Sequence, residues 1–328
     1  MNLSRRSLFG AFAAAALALT GAPTAWAADP PDEIRVDWAT YNPVSLVLRE
    51  QGLLEQGLAE RGIAVRWVQS QGSNKALEYL NAGSLDFGST AGGAALLGRL
   101  NGNPIRSVLV YSQPEWASLV VRGDSTLASL ADLRGKRIAV TRGTDPHIFL
   151  LRSLATVGLT ESDVTLVLLQ HADGRTALLR GDVDAWAGLD PLTAAAEIEH
   201  GARLLYRNPA FNSGGVLNVR SAFADAHPDL VDTVLAAYAQ ARDWALANPD
   251  ALRALLARET GLTEDVVARQ LARTRLDTGP VDTAVAAQIA AAGAALRAAG
   301  VIEADADIDA GVAALVGTGR GAALAQAR

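Results

Sequence analysis

The sequence predicts an α/β fold with largely parallel sheets, and three observations carry that reading. Short apolar runs suited to strands alternate with helical stretches from Ile34 to about Arg220. Two segments echo one another, Leu80-Asn81-Ala82-Gly83-Ser84-Leu85-Asp86 and Leu178-Leu179-Arg180-Gly181-Asp182-Val183-Asp184. Each is a helix end, a glycine stop, a polar residue, an apolar residue and an aspartate, which hints at duplicated lobes. From Asp225 onward the alternation ceases and proline-started helices follow one another.

Ile34 to Trp38 alternates like a strand, and Tyr41-Asn42-Pro43 opens a helix through Leu48. Ile63 to Val68 is a second strand, ending in Gln69-Ser70-Gln71-Gly72-Ser73, where Ser73 or Asn74 can cap the helix carrying Ala76, Leu77 and Leu80. Leu85 to Gly88 reads as a third strand, followed by a loop through Gly93 and a helix to about Leu100. Ile105 to Tyr111 and Ser118 to Val121 are further strands. Arg137 to Thr141 is a short buried strand that Gly143 breaks, and Thr144-Asp145-Pro146 then opens a helix with a capping side chain. Val164 to Leu169 is a strand, Thr176 to Leu179 a short helix, and Ala187 to Pro191 a loop after a buried strand. Helices then start at His227-Pro228-Asp229, Asn248-Pro249-Asp250, Thr263-Glu264-Asp265 and Asp282. The last residues, from about Gly317, read as a frayed tail.

Residues 1–27 have the pattern of a cleavable export signal. Ser4-Arg5-Arg6-Ser7-Leu8-Phe9 precedes an alanine-rich apolar run, and Ala25-Trp26-Ala27 supplies the small residues of a cleavage site. The paired arginines resemble a twin-arginine signal, although a general secretory signal can also carry them. No later segment is continuously apolar over the roughly 20 residues that a membrane span needs. The chain has no cysteine, which excludes thiol nucleophiles, thiolate metal sites, disulfides and a lipidated anchor cysteine. A net charge of -6 without a basic stripe argues against nucleic acid as a partner. The mature protein is expected to be a soluble monomer in a periplasm.

The four histidines, His147, His171, His200 and His227, show no metal-pair spacing, and no phosphate loop, nucleophile elbow or dinucleotide fingerprint sits at a strand-to-helix turn. No catalytic residue, metal or cofactor is expected. What recurs is a strand-to-helix junction rich in small or hydroxylated residues. In an open parallel sheet such junctions gather at the carboxyl ends of strands, where ligands bind, and helix amides there favour an anion. The candidate ligand-binding residues are Tyr41, Asn42, Gln71, Ser89, Thr90, Ala91, Trp116, Thr141, Gly143, Thr144, Asp145 and Asp190. Trp186 is a further candidate wall of the pocket, and Glu115 a candidate acceptor, while Asp190-Pro191 can equally be a helix cap.

The segments G-S-N-K-A-L-E-Y-L-N-A-G-S-L-D-F-G-S-T, D-L-R-G-K-R-I-A-V-T-R-G-T, D-V-D-A-W-A-G-L-D-P and F-A-D-A-H-P-D-L together resemble the periplasmic substrate-binding proteins of ABC importers for aliphatic sulfonates, taurine and nitrate. The resemblance implies a type II periplasmic-binding-protein fold: two α/β lobes that close on a ligand in a cleft, with a helical C-terminal segment. On this chain lobe 1 would be 28–119 plus 222–328 and lobe 2 120–221, with crossovers near Leu119 to Arg122 and Leu217 to Arg220. It implies a small organic anion as ligand, a sulfonate first, with nitrate, bicarbonate or a thiamine pyrimidine precursor as alternatives, and an inner-membrane ABC permease as partner. The same fold also hosts a sulfinate desulfinase, whose nucleophilic cysteine has no counterpart in this chain. Affinity would come from amides at Ala91 and Gly143 to Thr144 and from the hydroxyls of Thr90 and Thr144. This chain departs from the sulfonate pattern at Ala91-Gly92-Gly93-Ala94, where Gly-Glu-Ala-Pro is common, and at Leu189-Asp190-Pro191, where Trp-Asp-Pro is common.

Overall fold

The computed structural model describes residues 29–316, so the expected export signal and the expected frayed tail from Gly317 lie outside the described residues. The strands are β1 (Glu33–Trp38), β2 (Ala64–Gln69), β3 (Phe87–Ala91), β4 (Ile105–Pro114), β5 (Ala117–Val121) and β6 (Arg137–Val140). They continue with β7 (Thr165–Leu168), β8 (Ala185–Leu189), β9 (Arg203–Tyr206), β10 (Gly215–Arg220) and β11 (Thr274–Arg275). One sheet has the order β11-β4-β10-β3-β1-β2 and the other β7-β6-β8-β5-β9.

The two sheets repeat one plan. β1 lies between parallel neighbours β2 and β3, as β6 lies between β7 and β8, and an antiparallel strand follows in each, β10 beside β3 and β5 beside β8. The sequence echo falls on equivalent positions of this plan. Gly83 and Gly181 both adopt positive φ, 68° and 80°, which ends a helix at no steric cost only because they lack a Cβ. Asp86 then accepts from the Arg35 amide at 2.9 Å, and Asp184 from the Arg137 amide at 2.8 Å. Each aspartate therefore pins the first strand of its unit beside the third.

The chain changes sheets between Pro114 and Ala117 and returns between Tyr206 and Gly215. The sequence reading places these crossings several residues later. The reason is that β5 and β10 are already paired inside one sheet from their first residues, so the crossings precede them.

Helices α1 (Pro43–Glu50), α2 (Leu53–Leu58), α3 (Ser73–Asn81) and α4 (Gly92–Leu100) belong to the first unit. The second carries α5 (Asp145–Ala155), α6 (His171–Arg180) and α7 (Leu192–His200), α6 starting five residues earlier than its Thr176 signal. The C-terminal third is helical as the prolines require: α8 (Ser221–Ala226), α9 (Pro228–Ala247), α10 (Pro249–Thr260), α11 (Glu264–Leu271), α12 (Thr283–Ala298) and α13 (Ile308–Val316). Asn42, Thr263 and Asp282 cap α1, α11 and α12 through their side chains. Ile34, Val36, Phe87 and Leu46 are fully buried under the first sheet, and Val120, Leu178 and Trp186 under the second. At roughly 1.5–3 kcal/mol per buried large apolar side chain, these cores supply the stability that a cysteine-free chain cannot take from disulfides.

Candidate ligand-binding site

Two strands run further than their sequences suggest, and this decides what the candidate residues do. Ser89, Thr90 and Ala91 lie within β3, and Ala187 to Leu189 within β8, so neither segment is a loop. β3 passes directly into α4. Ser89 is the hub of a closed net: its amide reaches both carboxylate oxygens of Asp37 at 2.9 Å, and its hydroxyl donates to Asp37 at 2.8 Å. Asn42 Nδ2 donates to Ser89 Oγ at 2.8 Å, and the Tyr41 hydroxyl donates to the Ser89 carbonyl at 3.0 Å. Thr90 Oγ1 donates to the Ala91 carbonyl and accepts from Asn218 Nδ2 at 2.8 Å. Tyr41, Asn42, Ser89 and Thr90 are thus brought together, but their hydrogen bonds are made inside the protein. Asp37 and Asn218 complete the net and were missed by the sequence reading, because nothing distinguishes a polar residue in mid-strand from an outward-facing one.

The start of α4 corrects the amide clamp. The Ala91 amide donates to Ser73 Oγ at 3.0 Å, Gly92 to the Gly214 carbonyl at 2.9 Å and Gly93 to Ser213 Oγ at 2.8 Å. Ser73 therefore serves β3 and does not cap its own helix, whose N-cap is Gly72. A Cβ on Gly92 would stand 2.6 Å from the Ser213 carbonyl oxygen and from Ile289, and one on Gly93 2.8 Å from Ile148 of α5. The glycine doublet lets α12 and α5 press on this helix start, and the amides are consumed there.

An anion does sit at the start of α5, and it belongs to the chain. Asp145 is buried and accepts from Trp116 Nε1 at 2.7 Å, Ser213 Oγ at 2.6 Å and the Ser213 amide at 3.2 Å. Burial pushes its carboxyl up, against the pull of the Ser213 and Trp116 bonds. Trp116 lies at the first sheet crossing and Ser213 at the second, so one carboxylate ties both crossings to α5. Thr144, expected to cap, instead donates its hydroxyl to the Thr141 carbonyl at 2.7 Å.

Asp190 lies one residue before Pro191, the N-cap of α7: its Oδ1 accepts from the Ala194 amide at 2.9 Å, while Oδ2 faces Arg273, which also holds Glu197. Burial pushes the Asp190 carboxyl up to about 6, with Arg273 opposing. Trp116 meets Tyr41 edge to face at 6.0 Å, but Trp186 is core, wholly buried against Gly174 of α6. Glu115 is engaged by Arg207, and Gln71 is exposed.

Unspent polar capacity lies elsewhere along the seam. Thr141 Oγ1 donates to the Leu169 carbonyl at 2.8 Å and lies 3.2 Å from His171 Nδ1. Burial pulls His171 down to about 4, so it is neutral. His171 Nε2, Gln170 Oε1 and Asn74 Oδ1 are buried without a hydrogen-bond partner among the described residues. A Cβ on Gly72 would stand 2.9 Å from Asn74 Oδ1 and 3.0 Å from His171 Nε2, so orphaned atoms of both units pack closely over the Gly72 backbone, where no side chain would fit. Gly143 has open space where a Cβ would be. Asn74 and Gln170 were not candidates in sequence; their signal is the G-S-N turn and the residue just ahead of a helix. No group of three or more metal-ligating side chains occurs among the described residues.

Asp37 gives a pH test. Burial pushes its carboxyl from 3.8 up to about 6, against the Ser89 bonds. The folded state then binds the extra proton between those values, so this group's contribution falls as pH rises through that window. We expect the stability difference between wild type and Asp37→Asn to shift towards the variant by about 2.4 kcal/mol from pH 4 to pH 7. Urea midpoints across that range read it, and a pH-independent difference would refute it. His171 has the opposite sign, its contribution being lost as pH falls from 6.5 through about 4.

Two parallel-stranded units joined by two crossings, with polar groups facing along the seam, make this a periplasmic-binding-protein fold. The alkanesulfonate-binding protein of Xanthomonas axonopodis pv. citri, solved bound to MOPS, superposes with a TM-score of 0.77 at 29% identity, covering 83% of this chain and 94% of that one. The periplasmic aliphatic sulphonate binding protein of Escherichia coli does so at 0.74 and 26%, covering 88% and 92%. A curated aliphatic sulfonates-binding protein name belongs to an Escherichia coli (strain K12) relative that is 32% identical over 226 residues, 68% of this chain and 71% of that protein. Residues 57–252 match the NMT1/THI5-like family, and the chain belongs to it. The desulfurization enzyme DSZB, at 19% identity and a TM-score of 0.65, shares the fold alone.

Proposed function

We propose that this protein is the periplasmic ligand-capturing component of an ABC importer for small organic sulfonates. It would reach the periplasm by its export signal, bind without catalysis between two lobes, one built on each sheet, and hand the ligand to an inner-membrane permease. Similarity to the two sulfonate-binding structures over most of the chain supports the ligand class. The observation that supports the site is that Asn74 Oδ1 and His171 Nε2, from opposite units and buried without a partner, meet over the backbone of Gly72. A ligand there touches both units and stabilises the closed arrangement over the open one by its differential contacts. Among the described residues no helix is long and apolar enough to cross a membrane.

The test is thermal unfolding of the mature protein with alkanesulfonates, taurine, arylsulfonates, nitrate, bicarbonate and pyrimidines. A ligand at about 100 times its Kd adds about 2.7 kcal/mol by mass action, a shift of several degrees. We expect a saturable rise with at least one sulfonate. A rise with pyrimidines alone, or with none, would refute the assignment.

A further inference from the structure

The β2–α3 and β7–α6 junctions hold equivalent places in the two units. β2 and β7 each flank the central strand of their sheet unit on its outer side, and α3 and α6 are the helices stopped by Gly83 and Gly181. Gly72 and Asn74 belong to the first junction, Gln170 and His171 to the second, and the two meet across the seam.

Which atoms of this cluster carry hydrogens follows from their fixed partners. His171 is neutral, so one ring nitrogen bears a proton and the other a lone pair. The Thr141 hydroxyl has a single proton, and it goes to the Leu169 carbonyl at 2.8 Å, because a carbonyl only accepts. Thr141 Oγ1 therefore faces His171 Nδ1, 3.2 Å away, as an acceptor, and Nδ1 carries the ring proton. Nε2 is left as a bare lone pair. It is buried with no donor among the described residues, as are Asn74 Oδ1 opposite and the Oε1 of the adjacent Gln170. The Gly72 backbone covers Nε2 and Asn74 Oδ1, yet its carbon-bound hydrogens satisfy neither.

Shutting the seam with nothing between the units thus takes acceptors out of water unpaired, which weighs against the empty closed form. Opening the seam uncovers them. A ligand that brings donors removes the cost on closure, and a ligand of the same shape without donors does not.

We propose that His171, with Asn74 opposite, is a specificity-determining residue of the seam: its Nε2 accepts a hydrogen bond from an N–H or O–H of the ligand, so the site selects anions that carry an amine or hydroxyl over those whose tail ends in carbon. The proposal rests on the sulfonate-binding reading and adds a second chemical requirement to it, a donor on the ligand as well as an anionic group.

The test is calorimetric titration of the mature protein with two pairs of sulfonates matched in size, taurine against propanesulfonate and sulfanilate against toluenesulfonate. In at least one pair the amine is expected to bind wild type about tenfold or more tighter than its carbon analogue, the scale on which a site built for a donor rejects a ligand lacking it. His171→Phe keeps an aromatic ring and removes the lone pair, so it is expected to bring that pair to nearly equal affinity. Equal binding within both pairs, or tighter binding of the carbon analogues, overturns the proposal and leaves the transport reading standing. So does a preference that survives undiminished in His171→Phe. Absence of binding by any of the sulfonates removes both. If His171→Phe fails to fold, NMR of the ring nitrogens in ligand-free wild type decides: Nε2 is expected without its proton, and a protonated Nε2 overturns the proposal.

Discussion

Asp145→Ala is expected to destabilise the protein by about 4 kcal/mol, because it strands the Trp116 indole, the Ser213 hydroxyl and the Ser213 amide in a buried site at roughly 1–3 kcal/mol each. At about 2–4 °C per kcal/mol the melting temperature falls by roughly 8–16 °C. Asp145→Asn keeps the shape and one acceptor oxygen, so its loss should be smaller, about half. Differential scanning calorimetry of the three proteins reads the order. A loss under about 1 kcal/mol for Asp145→Ala would mean that the carboxylate does not bind the two sheet crossings to α5. The same variant frees Ser213 Oγ, which accepts from the Gly93 amide, and so loosens the contact between α4 and α5.

Arg273→Leu is expected to cost about 3–5 kcal/mol at pH 7, since it leaves Asp190 as a buried carboxylate without its cation, while the half-buried Glu197 keeps Arg269. Its signature is a dependence on pH. Arg273 is the charge that holds Asp190 down against burial, so without it the Asp190 carboxyl rises further above its ordinary value of 3.8. A raised carboxyl takes its proton in the folded state first, so the variant recovers stability as pH falls from 7 to 5. Urea unfolding at both pH values tests this. An equal deficit at each would place the cost in lost packing of the arginine stem, not in the stranded charge.

Much of the architecture was legible in the sequence because it rests on local signals. Proline and cap residues marked α1, α9, α10, α11 and α12, and the glycine stops before Asp86 and Asp184 marked equivalent points of two repeated units. The site was legible only as a neighbourhood. Tyr41, Asn42, Ser89 and Thr90 do lie together, yet whether a hydroxyl or amide faces a ligand or a neighbour depends on groups far away in sequence. Ser73 and Ser213 take the amides of Ala91 and Gly93 from 18 and 120 residues away. Trp186 misled for the same reason, since an aromatic residue beside a glycine-containing strand end reads alike whether it walls a cleft or fills a core. Asp145 was placed correctly at a helix start, but its role as the resident anion needed Trp116 and Ser213 in view.

The position of β10 has a consequence for how the chain folds as it is made. The second sheet is complete once Tyr206 has been synthesised, since all five of its strands lie between Ala117 and Tyr206. The first cannot be, because β10 is the strand that joins β4 to β3, and it ends at Arg220. Until then the first-made hundred or so residues are two separate fragments with open strand edges, β3 and β4, waiting for a partner that is made only after the second sheet, and β11 joins the other edge of β4 later still. Long-range pairing of this kind is slow and exposes apolar surface. The unit made first is therefore the one that folds last, and its unpaired edges are where a chaperone or a misfolded neighbour would find this protein.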